Sequence, residues 1–519
     1  MALSASRKIK RRKARTHRSR SASSAGAGAP AHHAVIDIGS NSIRLVVFEG
    51  MGRSPVPIFN EKVLSGLGRR LQATGRLDPD GVDSALVNLH RFTALARAME
   101  VTRLDMLATA AVRDAEDGAA FVNAVKKRTG CPVRVLDGAD EARYSAMGVL
   151  SGMPEARGIM GDLGGGSLEL VELDAGETHR HATLPLGPFR LARTGNPKRN
   201  DPDEVIERHL AALNWLGDGK GRDFYPVGGA WRALAQIHMA QRNYPLRVID
   251  FYTVSRGEIE DLAAIVARQS KASLARLPEV PQRRIETLPL AALVLRRVLQ
   301  TIKPARVVFS AHGLREGVHF AALPEELRRL DPLIAAGQAY MTRHGRYDAA
   351  FGERLMEWTT PLFTALDARD ERLRRAACLL SDVGWTEHPD YRVRHAFYRV
   401  MRLNVMGVDH PGRAFLAIAV LARYNGSVQD EARSEAHAVG LDDDRLNRAA
   451  VLGLALRLAY TLSGGADAVL ADTRLRLGAK RLTLVVAKRR AEFLGELVER
   501  RLQQLASACN RSAAIEIGG

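Results

Sequence analysis

An α/β protein made of two similar units, with a mainly helical region after them, is what this sequence predicts, and three observations predict it. "VIDIGSNSIR", from Val35, is an apolar strand that runs straight into an Asp-x-Gly turn, and "MGDLGGGSLEL", from Met160, repeats the device. Around both, short β-patterned runs alternate with helical apolar spacing as far as about Leu330, where the strand signals thin out. At 519 residues the chain exceeds what one compact core holds, so two to four domains are expected.

Taken in order, "HAVIDIGSNSIRLVVFEG" reads as strand, tight turn at Gly39 to Ser42, strand. "VTRLDMLATAAVRDA" gives a strand, and "GAAFVNAVKKRTG" a helix closed by Gly130. "PVRVLDGADEARYSAMGVL" is a short strand, a turn at Asp137-Gly138 and a helix that carries Glu141. "GIMGDLGGGSLELVEL" repeats the strand-turn-strand unit, "DEVIERHLAALNWLG" is helical, and "YPVGGAWRALAQI" is strand, glycine turn, helix. "LPLAALVLRRVLQTI" is a buried helix leading to the strand "ARVVFSAHG" and then "LREGVHFAAL". Residues 331–460 read as helical, followed by a hairpin-like "TRLRLGAKRLTLVV" and a terminal helix from about Lys488 to Ala508.

Composition, 46% hydrophobic and 26% charged, is that of an ordinary globular protein, but the formal charge is +18. Residues 1–31 hold nine Lys/Arg and no acid, which leaves 67 basic against 58 acidic side chains, or +9, for the rest. That segment has no apolar stretch of signal-peptide type and is expected to be a disordered basic tail that attracts polyanions. Cys131, Cys378 and Cys509 are too scattered for a disulfide framework or a zinc site, and no run is long enough to span a membrane. A cytoplasmic location is expected.

In an Asp-x-Gly-Ser-Asn-Ser turn, glycine and small residues let backbone N–H groups converge on an anion, and the hydroxyls add donors. The aspartate at the strand end offers a hard oxygen that suits magnesium, usually through water. A single turn of this kind also fits a plain hairpin. Two, opening two similar units, would face each other across a cleft and hold a phosphate chain between them.

With "ATAAVRDA", "GADEARYSAMGV", "LPLG", "VGGAWRALA" and "GLREGV" in order between and after these turns, residues 33–325 resemble the exopolyphosphatase and guanosine pentaphosphate phosphohydrolase (Ppx/GppA) family. The resemblance implies two actin-like, RNase H-like lobes of the sugar kinase, heat-shock protein and actin (ASKHA) superfold. It implies lobes at 32–159 and 160–312, a return helix and linker at 313–330, and a mainly helical, HD-like C-terminal domain at 331–519. Matched motif to motif, Glu141 would be the catalytic base that orients the attacking water, and Arg113 would neutralise charge on the transferring phosphoryl group. Asp162 and Glu169 would hold magnesium (Mg2+). Gly39, Ser40, Asn41 and Ser42, with Gly164, Gly165, Gly166, Ser167, Gly228 and Gly229, would cradle phosphate. The implied activity is release of orthophosphate from inorganic polyphosphate. Hydrolysis of guanosine pentaphosphate (pppGpp) is the alternative within the family, and homodimers are common in it. A non-catalytic polyphosphate sensor and an ATPase of the same superfold stand as alternatives of other classes, opposed by the retained acids.

Asp117 departs from the family's usual Asn, and Ala311-His312 from its usual Ser-Asp, departures that would alter substrate contacts near the hinge. Ser381-Asp382 lacks the histidine an HD metal site needs, and His388, His395 and His410 read as surface or satisfied polar residues. In "DYRVRHAFYRVMR", Arg392, Arg399 and Arg402 share one helix face with His395 and are expected to line a groove for the distal phosphates of a long chain.

Overall fold

In the computed structural model, residues 31–192 and 201–518 are described, so the expected basic tail lies outside the described residues but for its last position. Two sheets and a helical domain follow in order.

The first sheet contains β1 (His33–Ile38), β2 (Ser42–Glu49), β3 (Val56–Leu64), β4 (Arg103–Ala108) and β5 (Arg134–Val135), in the order β3-β2-β1-β4-β5. The second contains β6 (Arg157–Leu163), β7 (Leu168–Asp174), β8 (Glu177–Leu184), β9 (Asp223–Val227), β10 (Tyr252–Ser255) and β11 (Arg306–Phe309), in the order β10-β11-β9-β6-β7-β8. Without its antiparallel edge strand β10, the second sheet repeats the first strand for strand: one antiparallel pair hinged on the Asp-x-Gly turn, a third antiparallel strand outside it, and parallel strands on the other side. The second sheet starts at Arg157, ahead of the boundary expected at 160. β3, β8 and β10 were not anticipated from the sequence. They are outer strands, and β3 and β8 alternate only weakly between buried and exposed positions.

Each sheet has an outer core. Helices Pro79–Ala98 and Gly118–Thr129 cover the first, and helices Pro202–Ala211, Gly229–Gln241, Arg256–Ala267 and Leu288–Ile302 cover the second. The inner faces share one helix, Gly138–Gly152, capped by the Asp137 carboxylate on the Asp140 N–H at 2.7 Å. Ala142, Ala146 and Val149 of this bridging helix pack on the second sheet, while Tyr144 and Met147 face the first. Against it lies the return helix, Leu314–Ala322. The two backbones touch. A Cβ on Gly317 would lie 1.7 Å from the Tyr144 carbonyl oxygen, and one on Gly148 would lie 2.2 Å from that of Gly313.

The C-terminal domain is helical from Pro332 to Ala471 and then adds β12 (Thr473–Leu477), β13 (Arg481–Ala487) and β14 (Ser512–Gly518). β12 and β13 form the anticipated hairpin, and β14 joins it in parallel. The terminal helix begins at Glu496 and not at Lys488. Residues Lys488–Phe493 form a tighter 3-10 turn, held where Arg489 and Arg490 both reach the Asp472 carboxylate, and extended Gly495 separates the two.

The helix crossing makes a test. Gly317→Ala should destabilise the chain by about 2–4 kcal/mol in urea unfolding, because backbone must move to admit the methyl group. Gly257→Ala, in a helix where a Cβ meets nothing within 4 Å, should be neutral or stabilising by up to about 1 kcal/mol. Equal effects at the two positions would remove the crossing as a constraint.

Candidate active site

The two Asp-x-Gly turns are the same structure built twice. In each, the glycine N–H donates to the serine carbonyl three residues on, Gly39 to Ser42 and Gly164 to Ser167, both at 3.0 Å. The turns meet across the lobes, with a Cβ on Gly166 only 3.4 Å from the Ser40 hydroxyl oxygen. Beside them Gly228, at φ 104°, starts the helix Gly229–Gln241, and a side chain there would strike the Leu163 carbonyl. Together these segments line a cleft of about 200 Å³.

One wall of the cleft is acidic. Glu141 enters from the first turn of the bridging helix, Asp162 from the end of β6, and Glu169 from β7 directly across from Asp162. Asp162 accepts a hydrogen bond from the Ser145 hydroxyl at 2.6 Å. Glu169 is 1% exposed, and its Oε1 has no hydrogen-bond partner. Burial raises all three carboxyls. Glu141 is raised to about 7 by burial, against the opposing pull of Arg113, with Asp162 and Asp37 adding to the rise. Glu169 goes well above the usual carboxylate range through burial and the charges of Glu141 and Asp162.

The opposite wall is basic. Arg44, Lys62, Arg232, Arg284 and Arg315 all line the cleft. Arg315 is paired with Asp37 at 2.8 Å. Among the described residues, the other four reach no carboxylate at salt-bridge distance; Arg44 donates to the Asn60 amide oxygen and Arg232 to the Ser310 carbonyl. Burial lowers Lys62 to about 8, helped by Arg284, Arg283 and Arg44. The two walls come from one scaffold: Arg44 stands opposite Asp37 across β1 and β2 as Glu169 stands opposite Asp162 across β6 and β7.

The structure brings Glu141, Asp162, Glu169 and every residue of the expected phosphate cradle to this one cleft. Arg113 stands behind it and does not line it, donating to Glu141 at 3.2 Å, to Asp114 at 3.2 Å and to the Leu136 carbonyl at 3.1 Å. It holds the Glu141 side chain by the first of these contacts. The cation wall was missed. Its members come from separate elements; the register opposite Asp37 is a signal for Arg44, and the motifs "VGGAWRALA" and "GLREGV" contain Arg232 and Arg315. The Arg392, Arg399 and Arg402 groove is corrected: none of the three lines the cleft. Arg392 donates to the Glu387 backbone carbonyl, Arg399 and His395 meet the Glu387 carboxylate, Arg399 at 2.5 Å, and Arg402 lies over the Tyr398 ring. Asp117 accepts from the Leu77 N–H at 2.9 Å, and Asp382 is held by Arg346 and Arg423.

Two lobes of one topology, each offering a glycine turn to a shared cleft, define the ASKHA superfold. Residues 32–326 match the Ppx/GppA phosphatase family, and residues 334–515 match the exopolyphosphatase C-terminal family; the chain belongs to the Ppx/GppA family. It is 28% identical over 306 residues to exopolyphosphatase 1 of Mycobacterium tuberculosis, covering 56% of this chain and 88% of that protein. It is 26% identical over 443 residues to retrograde regulation protein 2 of Saccharomyces cerevisiae, covering 76% and 73%. The crystal structure of an exopolyphosphatase from Cytophaga hutchinsonii superposes with a TM-score of 0.51 at 22% identity, over 56% of this chain and 97% of that one, and shows the shared fold.

The opposed walls set a pH window for any reaction that needs an ionised Glu141 and a charged Lys62. For the free enzyme, kcat/KM should rise as pH passes about 7 and Glu141 loses its proton, then fall beyond about 8 as Lys62 loses its own. Lys62→Arg should abolish the alkaline fall, and Arg113→Gln should move the acid limb upward by about one unit. An unchanged profile in both variants would detach these groups from turnover.

Proposed function

We propose that the protein is an exopolyphosphatase that removes terminal orthophosphate from inorganic polyphosphate with the help of magnesium. The observation that carries this reading is the pair of facing walls: partly buried, unpaired cations opposite a base poised near neutrality, with backbone N–H turns between them. Several like charges gathered in a cleft without counter-ions are costly, and a ligand with several negative charges removes that cost. The exopolyphosphatase relatives and the family match support the same substrate class.

The chain's residues divide the work. The two turns and the cation wall hold the terminal phosphoryl group and its neighbour, so positioning and charge neutralisation supply most of the rate. Glu141 accepts a proton from a water aligned on the terminal phosphorus. The phosphorus–oxygen bond to the penultimate phosphate breaks, and orthophosphate leaves with a chain shorter by one unit. Arg113 keeps Glu141 oriented and limits how far burial raises it. Asp162 and the unpartnered Glu169 oxygen are hard donors that fit magnesium, which neutralises phosphate charge when bound. Among the described residues no three acidic, imidazole or thiol groups gather into a ready cation cage. The protein would therefore contribute one or two carboxylates, the remaining oxygens coming from water and phosphate, as magnesium commonly accepts.

The test is release of orthophosphate from polyphosphate with magnesium and no nucleotide present; none released would end this reading. Glu141→Gln should lower kcat by roughly two to four orders of magnitude with polyphosphate binding retained. Asp162→Ala should raise the magnesium concentration needed for half-maximal rate. Magnesium dependence identical to that of the unaltered chain would take Asp162 out of the metal site.

A further inference from the structure

Past the two turns the cleft opens into a second chamber of about 390 Å³, which shares Ser40, Asn41, Gly165, Gly166 and Phe189 with the first. The chamber lies between the stretch after β3 and the segment that precedes helix Leu288–Ile302, and its cations are Arg69, Arg190 and Arg283. Arg190 is 3.5 Å from Asp114. Among the described residues, Arg69 and Arg283 reach no carboxylate, and the one acid in the lining, Glu286, is tied to Lys271 at 2.9 Å. Arg283 is close enough to Lys62 to push its ammonium down together with Arg284. Unpaired cations thus continue from the cleft wall, Arg284 and Lys62, to the chamber's Arg283 and Arg69.

Buried or half-buried arginines elsewhere find partners, Arg423 in Asp382, Arg445 in Asp370, and Arg53 and Arg413 in backbone carbonyls. A cleft of about 200 Å³ admits the end of a polyphosphate and not its length. The remainder must leave through an opening, and this one carries charge of the right sign, its one lining carboxylate, Glu286, being paired with Lys271. We propose that the chamber lined by Arg69 and Arg283 is a distal phosphate site that makes the enzyme favour chains long enough to reach it. The proposal rests on the polyphosphate reading. It places length preference within the two lobes, and the helical domain supplies none of the contacts.

The experiment compares the full chain with the double variant Arg69→Ala, Arg283→Ala on tripolyphosphate and on long polyphosphate. At about 0.05 M salt the KM for the long chain should rise roughly tenfold with kcat unchanged, while tripolyphosphate changes less than about twofold. The difference should fade by about 0.5 M salt, because screening removes what the two arginines add. Arg283→Lys should keep most of the preference. Equal losses on both substrates, or no loss on the long one, would overturn the distal site. A loss confined to guanosine pentaphosphate would overturn it too, and assign the chamber to a nucleobase on Phe189. Should the unaltered chain hydrolyse neither polyphosphate, the functional reading falls separately. Binding of long polyphosphate to the double variant in a Glu141→Gln background still reads the site: weaker binding supports it, and unchanged binding overturns it.

Discussion

Two helices cross backbone to backbone where Gly148 and Gly317 meet, and the placement of the charged groups in the cleft depends on that crossing. The bridging helix lies between both sheets, so its residues must be small toward one and still fill space toward the other: Ala142 and Ala146 face β6 and β7, and Tyr144 and Met147 face the first sheet. Only with the return helix drawn into contact do Arg315 and Glu316 come level with Glu141 and Ser145. Arg315 can then reach across to Asp37 in the first lobe, and Glu316 can accept from the Gly313 N–H at 3.0 Å. Packing of apolar and glycine surfaces thereby fixes a polar site that could not hold itself together, since its like charges repel.

The duplicated scaffold gains its chemistry from a single asymmetry. Both turns present the same backbone, but the residue across the hairpin from the aspartate is Arg44 in one lobe and Glu169 in the other. One lobe therefore turns a cation toward the cleft, and the other a carboxylate. Burial amplifies both: it pushes carboxyls up and ammonium groups down, and the neighbours of like sign push the same way. The electrostatic complement of the unpaired cations of such a site is a ligand that carries several negative charges.

What the sequence discloses follows from how local each feature is. The turns, the helix cap at Asp137 and the position of Glu141 are written in consecutive residues, so the local pattern alone reveals them. Lys62, Arg232, Arg284 and Arg315 lie on four elements spread over some 250 positions; Arg232 and Arg315 sit inside the motifs "VGGAWRALA" and "GLREGV", but nothing local distinguishes Lys62 and Arg284 from the other basic side chains. Periodicity misled in one place for the converse reason. Arg392, Arg399 and Arg402 do share a helix face, but they line no part of the cleft, and Glu387, which lies before the helix begins, takes Arg399 and His395. The outer strands β3 and β8 escaped because one side of each is not fully covered, which blurs the alternation that marks a strand.

The helical domain meets the second lobe at a buried junction. His410, held down to about 4 by burial and by Arg413, is neutral, so its Nε2–H donates to the Asp250 carbonyl at 3.1 Å while Nδ1 accepts from the Tyr244 hydroxyl at 2.8 Å. The Asp250 carboxylate in turn accepts from the Ala311 N–H at 3.0 Å and lies 3.4 Å from the His312 ring, whose pKa it raises against the effect of burial. His312 also closes on the end of the bridging helix, where a Cβ on Gly152 would be 2.9 Å from its ring nitrogen. The Ala311-His312 departure from the family pattern lies outside the residues that line the cleft. It sits at the start of the return helix, between the anchor of the C-terminal domain and the element that carries Arg315. The Asp250 carboxylate beside His312 belongs to the segment on which His410 docks. The C-terminal domain therefore helps to set where the return helix begins, and through it how Arg315 meets Asp37.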